Sequence, residues 1–115
     1  MVKPEMINHL HAGLKVTTAR QGLIANNIAN ISTPGYKRLD AQFERVLAEA
    51  LASGKNLADV EAPIAPTLIG TPNEIGNDVD LDQEIGEMVQ NASMYKTYFR
   101  LLGKMLRQME MAIGE

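Results

Sequence analysis

The sequence predicts an all-α fold in which long N- and C-terminal helices pair as an antiparallel, coiled-coil-like hairpin. Apolar residues recur at helical spacing through both ends of the chain, and a stretch with several Pro and Gly residues and no sustained period separates them. The 115 residues are enough for one small domain. We therefore divide a single domain, residues 1–115, into an N-terminal helix at 1–32, a turn and short helix at 33–54, an extended connector at 55–78 and a C-terminal helix at 79–115.

The N-terminal helix is predicted at residues 4–31. Pro4 suits a first helical turn, and Pro34 followed by Gly35 ends the helix because Pro cannot continue its hydrogen bonds. The inward positions alternate three and four residues apart, which is the heptad pattern of two helices that coil around each other. The apolar residues expected to pack there are Ile7, Leu10, Leu14, Ile24, Ile28 and Ile31.

The C-terminal helix is predicted at residues 81–113, with Asp80 and Gln83 forming a capping box at its start. Its first apolar row is unbroken and consists of Leu81, Ile85, Met88, Ala92, Tyr95, Phe99, Leu102, Leu106, Met109 and Ile113. A second row flanks it, formed by Met94, Tyr98, Leu101, Met105 and Ala112. Two rows are wider than one partner helix covers, so we expect a further helix to pack here during assembly.

The middle of the chain predicts a short amphipathic helix that ends near Gly54. Its apolar positions are Leu39, Phe43, Val46, Leu47, Ala50 and Leu51. The connector at 55–78 has no helical or strand period, although a short hairpin is expected around residues 64–75. A run this long without structure is uncommon inside a domain, so we expect a mobile arm or an interaction segment.

Composition argues against several classes of function. The net charge of −3 gives no global basic field for nucleic acid or an anionic membrane, and the absence of Cys excludes disulfides and thiolate metal sites. His9 and His11 lie on different helix faces, and the acidic group from Asp78 to Glu84 lacks the spacing of a calcium loop. No phosphate-binding Gly loop or nucleophile elbow occurs. We therefore predict no catalytic, cofactor-binding or metal-binding residue and no enzymatic activity.

The charges are distributed unevenly along the chain. Residues 1–40 carry five basic and two acidic groups, residues 41–87 two basic and ten acidic, and residues 88–115 four basic and two acidic. This pattern is compatible with an ordinary solvated surface or with charge that orders the stacking of subunits. The first ten residues lack the apolar run of a cleavable signal peptide, and no run is long enough to span a membrane.

Residues 25–38 read ANNIANISTPGYKR and contain three Asn residues in the last turns of the first helix. Asn is a poor helix former that bonds readily to backbone groups, and Pro34 with Gly35 fits the second and third positions of a type II turn. From the residues alone, this segment could equally be a simple helix stop.

This segment, together with residues 77–82 (NDVDLD) and the Met- and Tyr-containing helix that follows, resembles the axial proteins of the bacterial flagellum. Among them the chain is most similar to the flagellar basal-body rod protein family. The resemblance covers roughly residues 1–54 and 77–115 and matches the connector weakly. It implies that the signature residues fix how the first helix ends and where the chain turns outward; these are Asn27, Asn30, Thr33, Pro34, Gly35 and Tyr36.

The resemblance implies a structural subunit that polymerises through its terminal helices into the rod, the axial tube that transmits torque. It implies no cofactor, nucleic acid, small-molecule substrate or direct membrane insertion. The implied partners are copies of itself, other rod and basal-body proteins and the flagellar export apparatus. The implied location is the basal body on the periplasmic side of the inner membrane, reached without a cleaved signal peptide.

A soluble helical adaptor or export chaperone is the alternative from a different class. An adaptor should present one groove and an otherwise charged surface, whereas residues 81–113 offer two adjacent apolar rows. An enzyme comes third, because no constellation of acid, base and nucleophile is present.

Overall fold

The fold is an elongated helical hairpin, 65 × 29 × 14 Å, in a computed structural model that describes residues 4–55 and 61–114. The elements in chain order are α1 (Pro4–Ala29), β1 (Leu39–Ala41), α2 (Phe43–Ser53), β2 (Ile64–Pro66) and α3 (Leu81–Ile113). The helices α1 and α3 pack against each other in opposite directions, since Asn27 lies beside Glu84 and Thr17 beside Asn91. The predicted antiparallel hairpin is confirmed.

The side of α3 that faces α1 includes members of the second apolar row and none of the first. Glu84, Asn91 and Met105 are buried, and the ring of Tyr98 lies directly over Gly13. These positions recur every seven residues and include two members of the second apolar row. The first row is mostly exposed within the single chain. The reason is that Glu84 and Asn91 bond to Asn27 and to the Thr17 carbonyl on the hairpin's inner side, so their face turns inward.

The helix α1 contributes the other half of the seam and ends at Ala29, two residues earlier than predicted. Its buried residues include the polar Thr17 and Asn27 as well as Ala12 and Val16. Of the residues predicted to pack, Leu10 and Ile24 are buried, and the half-buried ones are Ile7, Leu14, Ile28 and Ile31.

The Asp80 half of the predicted capping box caps the start of α3. The Asp80 side chain is a hydrogen-bond acceptor for the backbone N–H groups of Asp82 at 2.9 Å and Gln83 at 3.2 Å. These two groups have no partner within the helix, so the carboxylate satisfies them and faces the positive end of the helix dipole.

A small antiparallel strand pair, absent from the all-α prediction, holds the middle of the chain against α1. The register pairs Leu39 with Pro66, Asp40 with Ala65 and Ala41 with Ile64. The hairpin expected within residues 64–75 is therefore wrong, because this strand pairs with residues 39–41 instead. The short helix accordingly begins at Phe43 rather than at Leu39 and ends at Ser53, where Gly54 with a φ of 72° caps it.

The helix α2 lies over the N-terminal half of α1, whereas β1 lies beside its C-terminal half, where Asn27 bonds to Leu39. Phe43 packs with Ala12 and Val16, and Leu47 and Ala62 cover this cluster. Part of the predicted connector, residues 56–60, lies outside the described residues. Across residues 4–55 and 61–114, none of the helices combines the length and apolar character needed to cross a bilayer.

Candidate functional site

Four segments of the chain meet in a buried polar junction at the closed end of the hairpin. They are the last turns of α1, the turn that follows, the residues leading into β1 and the start of α3. We define the polar junction by its buried or half-buried side chains, Asn27, Tyr36, Arg38, Asn77, Asp78 and Glu84.

Asn27 lies at the centre of the polar junction and is completely buried. Its Nδ2 donates hydrogen bonds to the Leu39 carbonyl at 3.0 Å and to Oε2 of Glu84 at 3.4 Å. Its Oδ1 accepts from the Leu39 N–H at 3.0 Å and from the Tyr36 hydroxyl at 2.8 Å. All four hydrogen-bonding positions of the amide are used. One side chain thus joins α1 to the turn, to β1 and to α3.

Glu84 and Arg38 form a buried ion pair beside Asn27. The Nε of Arg38 donates to Oε1 of Glu84 at 2.6 Å, and a second guanidinium nitrogen donates to Glu87. Burial lowers the pKa of Arg38, but the hydrogen bond and charge of Glu84, together with the charges of Glu87 and Asp40, outweigh burial, so the net shift of the pKa is upward. The backbone N–H of Arg38 donates to Oδ1 of Asp78 at 2.7 Å. The segment that leads into β1 and the segment that leads into α3 are therefore both held by charge-assisted hydrogen bonds.

Asn77 closes the end of α1 from the other side. Its Nδ2 donates to the carbonyl of Asn30 at 2.8 Å and to that of Thr33 at 2.9 Å, while its Oδ1 accepts from the N–H of Val79 at 2.8 Å. Asn30 and Thr33 belong to the turn that follows α1. Asn77, which precedes the Asp80 cap of α3, thus holds this turn, and the two helices cannot separate here without losing its bonds.

The turn after α1 has the geometry that Pro34 and Gly35 predict. Gly35 has a φ of 72°, and the carbonyl of Thr33 accepts from the N–H of Tyr36 at 3.3 Å. The N–H of Gly35 donates to the carbonyl of Ile75 at 2.8 Å. A Cβ on Gly76, whose φ is 78°, would lie 3.5 Å from the Cα of Gly35. Two glycine turns therefore pack against each other.

The remaining signature residues act locally. The Asn30 side chain donates to the carbonyl of Asn26 at 2.9 Å and accepts from the Thr33 hydroxyl at 3.1 Å. Pro34 is exposed and shapes the turn through its fixed φ. The structure thus gathers all six signature residues in and around one junction, while their role in assembly remains a prediction.

Sequence reasoning missed Arg38, Asn77 and Glu84 as members of the junction. From the sequence, Asp82, Glu84 and Glu87 are expected to place negative charge near the positive end of the α3 helix dipole, but Glu84 is buried and points inward. The sequence did contain a signal that Glu84 faces inward. Glu84 lies seven residues before Asn91 and fourteen before Tyr98, so all three share one face of the helix.

The second notable feature is an apolar face of α3 directed away from α1. We call it the α3 stripe; it consists of Leu81, Ile85, Met88, Ala92, Tyr95, Phe99, Leu102, Leu106, Met109 and Ile113. Met88 and Leu102 are half-buried, and the other large members are between 37% and 81% exposed. The rings of Tyr95 and Phe99 stack with centroids 6.2 Å apart. An apolar surface along a whole helix is typical of a protein interface.

A groove of about 660 Å³ between α1 and α3 adjoins the α3 stripe. Gly22 and Ala25 contribute one wall, and Ala92 and Tyr95 the other. Small residues allow another backbone to approach closely, so the groove widens the surface available to a neighbouring helix.

The chemistry of both features is structural. The polar junction consists of hydrogen bonds and ion pairs that are satisfied by one another. Over residues 4–55 and 61–114, no group of three or more His, Cys, Asp or Glu side chains could hold a metal ion.

Comparison with known proteins identifies the family. The family model for flagella basal body rod proteins matches residues 7–37, which include the Asn-rich end of α1 and the Pro-Gly turn. The flagellar basal body rod protein FlgB of Borreliella burgdorferi is 35% identical over 109 residues, which cover 77% of this chain and 81% of that protein. FlgB of Bacillus subtilis is 31% identical over 110 residues, with 85% of each chain covered, and FlgB of Salmonella typhimurium is 28% identical over 115 residues, with 84% and 83% covered. The chain therefore belongs to the FlgB family of flagellar basal body rod proteins.

Proposed function

We propose that this chain, a structural subunit of the flagellar basal body rod, assembles by burying the α3 stripe against helices of neighbouring subunits. The observation that carries the proposal is the exposure of that stripe: Phe99 is 63% and Ile113 81% exposed although both lie on one continuous apolar face. Burying a large side chain of this kind contributes about 1.5–3 kcal/mol, so several together can drive association.

The polar junction has a complementary role in this proposal. A rod that transmits torque needs subunits whose two terminal helices keep a fixed relation under load. Asn27 links α1 to α3 directly, Arg38 ties the segment before β1 to α3, and Asn77 ties the segment before α3 to the turn after α1. A network whose members are all satisfied specifies one geometry, because any displacement leaves a buried polar group without a partner.

Assembly with copies of itself and with other rod and basal-body proteins belongs to the same proposal, as does export by the flagellar apparatus to the periplasmic side of the inner membrane. Family membership and the exposed apolar face support it. A soluble adaptor is not favoured, because the α3 stripe extends well beyond a single groove.

The test introduces a charge at a position of the α3 stripe where the side chain is largely exposed in the single chain. Phe99→Asp should leave the fold intact, since the side chain is largely exposed, but should prevent assembly and swimming because a carboxylate buried in a dry interface costs several kcal/mol. Gln108→Asp is the matched control, an exposed residue on another face of the same helix. Circular dichroism checks the fold and swimming in soft agar checks assembly. Normal swimming by the Phe99→Asp strain would contradict the proposal.

A further inference from the structure

Three residues of α3 form a line beside the α3 stripe, on the side away from α1. Lys96, Gly103 and Glu110 are seven residues apart, and each lies four residues after one member of the α3 stripe and three residues before another. We call these three residues the edge line. Lys96 and Glu110 are exposed, and within residues 4–55 and 61–114 neither forms an ion pair. The edge line therefore carries an unpaired cation and an unpaired anion, each about 10.5 Å along the helix axis from a central glycine.

The edge line becomes its own complement when the direction of the helix is reversed. In an antiparallel contact between two copies of α3, a two-fold axis places the edge line of one copy against that of the other. With Gly103 of both copies at the axis, each Lys96 lies beside the other copy's Glu110, and two ion pairs form. An antiparallel contact with full overlap of the helices, centred near residue 97, would instead bring the two Lys96 side chains together. The charges thus favour the contact centred on Gly103.

The C-terminal half of the α3 stripe supplies the apolar part of this contact. Each copy contributes six large side chains, of which Leu102 is half-buried in the single chain and the others are exposed; they are Tyr95, Phe99, Leu102, Leu106, Met109 and Ile113. Gly103 allows the two backbones to approach at the axis, because the nearest atom to a Cβ built there is Nη1 of Arg107 at 4.0 Å. Apolar burial therefore drives this contact, and the ion pairs at its edge select direction and register.

We propose that two copies of this chain form a closed antiparallel dimer through the C-terminal half of the α3 stripe, centred on Gly103 and aligned by two ion pairs between Lys96 and Glu110. This inference rests on the proposed function, because the dimer covers Phe99 and its neighbours, which rod assembly is proposed to bury. A contact that uses the same patch on both copies closes on itself and leaves no such patch for a third copy. The dimer therefore covers the assembly surface, and it has to dissociate before a subunit is incorporated.

Charge reversals in the purified full-length chain test the ion pairs by sedimentation equilibrium. Lys96→Glu and Glu110→Lys each replace both ion pairs of the dimer by like charges, so we expect each to raise the dissociation constant about tenfold or more. The two substitutions change the net charge in opposite directions, so general repulsion between copies cannot explain both effects. The double variant exchanges the charges and should dimerise like the wild type. Asp82→Lys is the matched control, since it makes the same change of charge on the same helix face outside the contact.

A further variant tests the crossing point without changing the charge. Gly103→Gln should leave the single chain intact, because the space around Gly103 is open and Gln is the better helix former. In the dimer two glutamine side chains would meet at the axis, and we expect the dissociation constant to rise about tenfold or more. Circular dichroism of the dilute chain checks that helix content does not fall.

The outcomes separate the closed dimer from the proposed function. A dimer that both single reversals and Gly103→Gln weaken, and that the double variant restores, supports the proposal. Single variants that dimerise like the wild type, a double variant that fails to recover, or equal weakening by Asp82→Lys overturns it. A wild-type chain that remains monomeric at millimolar concentration, or forms larger assemblies in place of a dimer, also overturns it. Swimming of the Phe99→Asp strain tests the proposed function independently of these results.

Discussion

The hydroxyl of Tyr36 donates a hydrogen bond of 2.8 Å to the buried amide oxygen of Asn27, nine residues earlier. This bond spans the Pro34-Gly35 turn and ties the chain back to the helix that it has just left. The Asn-rich signature therefore does more than end α1, because the Asn27 side chain also bonds to Glu84 on α3.

Removing the Asn27 side chain should be costly. Asn27→Ala leaves the N–H and carbonyl of Leu39 and the hydroxyl of Tyr36 without this partner in a buried site, and we expect a loss of about 2–4 kcal/mol in the free energy of unfolding. Urea denaturation followed by circular dichroism measures it. The neighbouring Asn26→Ala removes one exposed bond to Tyr36 and should cost about 0.5 kcal/mol. Equal losses would show that the polar junction is not a specific network.

The turn at Gly35 makes a separate prediction. No atom lies within 4 Å of a Cβ built on Gly35, so a substitution there is strained only by the φ of 72°. Gly35→Val should cost about 1–3 kcal/mol because a β-branched residue avoids this region, whereas Gly35→Asn should cost less. The free energies of unfolding of the two variants provide the comparison. Similar values for Val and Asn would contradict a conformational origin.

Helix content, the cap at Asp80 and the type II turn could be predicted because each depends on residues close in sequence. The inward face of α3 could not be predicted in the same way. Either of the two apolar rows could face α1, and the choice depends on partners that are distant in sequence. These partners are Asn27 for Glu84, Thr17 for Asn91 and the space above Gly13 for Tyr98. The strand pair was missed for the same reason, since three-residue strands have too little pattern to reveal a partner about 25 residues away.

The ion pair between Arg20 and Glu44 predicts a pH dependence. Two guanidinium nitrogens of Arg20 donate to the two carboxylate oxygens at 2.8 and 2.6 Å, and this hydrogen bonding lowers the pKa of Glu44 from the ordinary 4.5, outweighing the opposing effect of burial. Because the folded-state pKa is the lower one, the pair stabilises the fold fully above pH 4.5 and loses its effect as the pH falls through the folded-state value. The Glu44 side chain is 70% exposed, so the contribution should stay below about 1 kcal/mol.

The Glu44→Gln variant measures this contribution. Its stability difference from the wild type should be constant between pH 5 and 7 and should shrink below about pH 4.5. In an Arg20→Met background the substitution should have little effect at any pH. A stability difference that grows as the pH falls would contradict a lowered pKa of Glu44 in the folded state.

Two glycines of α1 provide the last prediction, which tests the face of α3 that packs inward. A Cβ on Gly13 would lie 2.6 Å from the Tyr98 ring, whereas a Cβ on Gly22 meets no atom within 4 Å. Gly13→Ala should therefore destabilise the fold by about 1–3 kcal/mol through overpacking, while Gly22→Ala should stabilise it by about 0.5–1 kcal/mol because Ala is the better helix former. The double variant Gly13→Ala with Tyr98→Ala removes the collision, so the added methyl group should then be neutral or favourable. Urea denaturation of the wild type, these three variants and Tyr98→Ala alone measures these differences. If Gly13→Ala stabilises the wild-type chain as much as Gly22→Ala does, Tyr98 does not cover α1, and the first apolar row, with Phe99, would be the inner seam instead of the assembly surface.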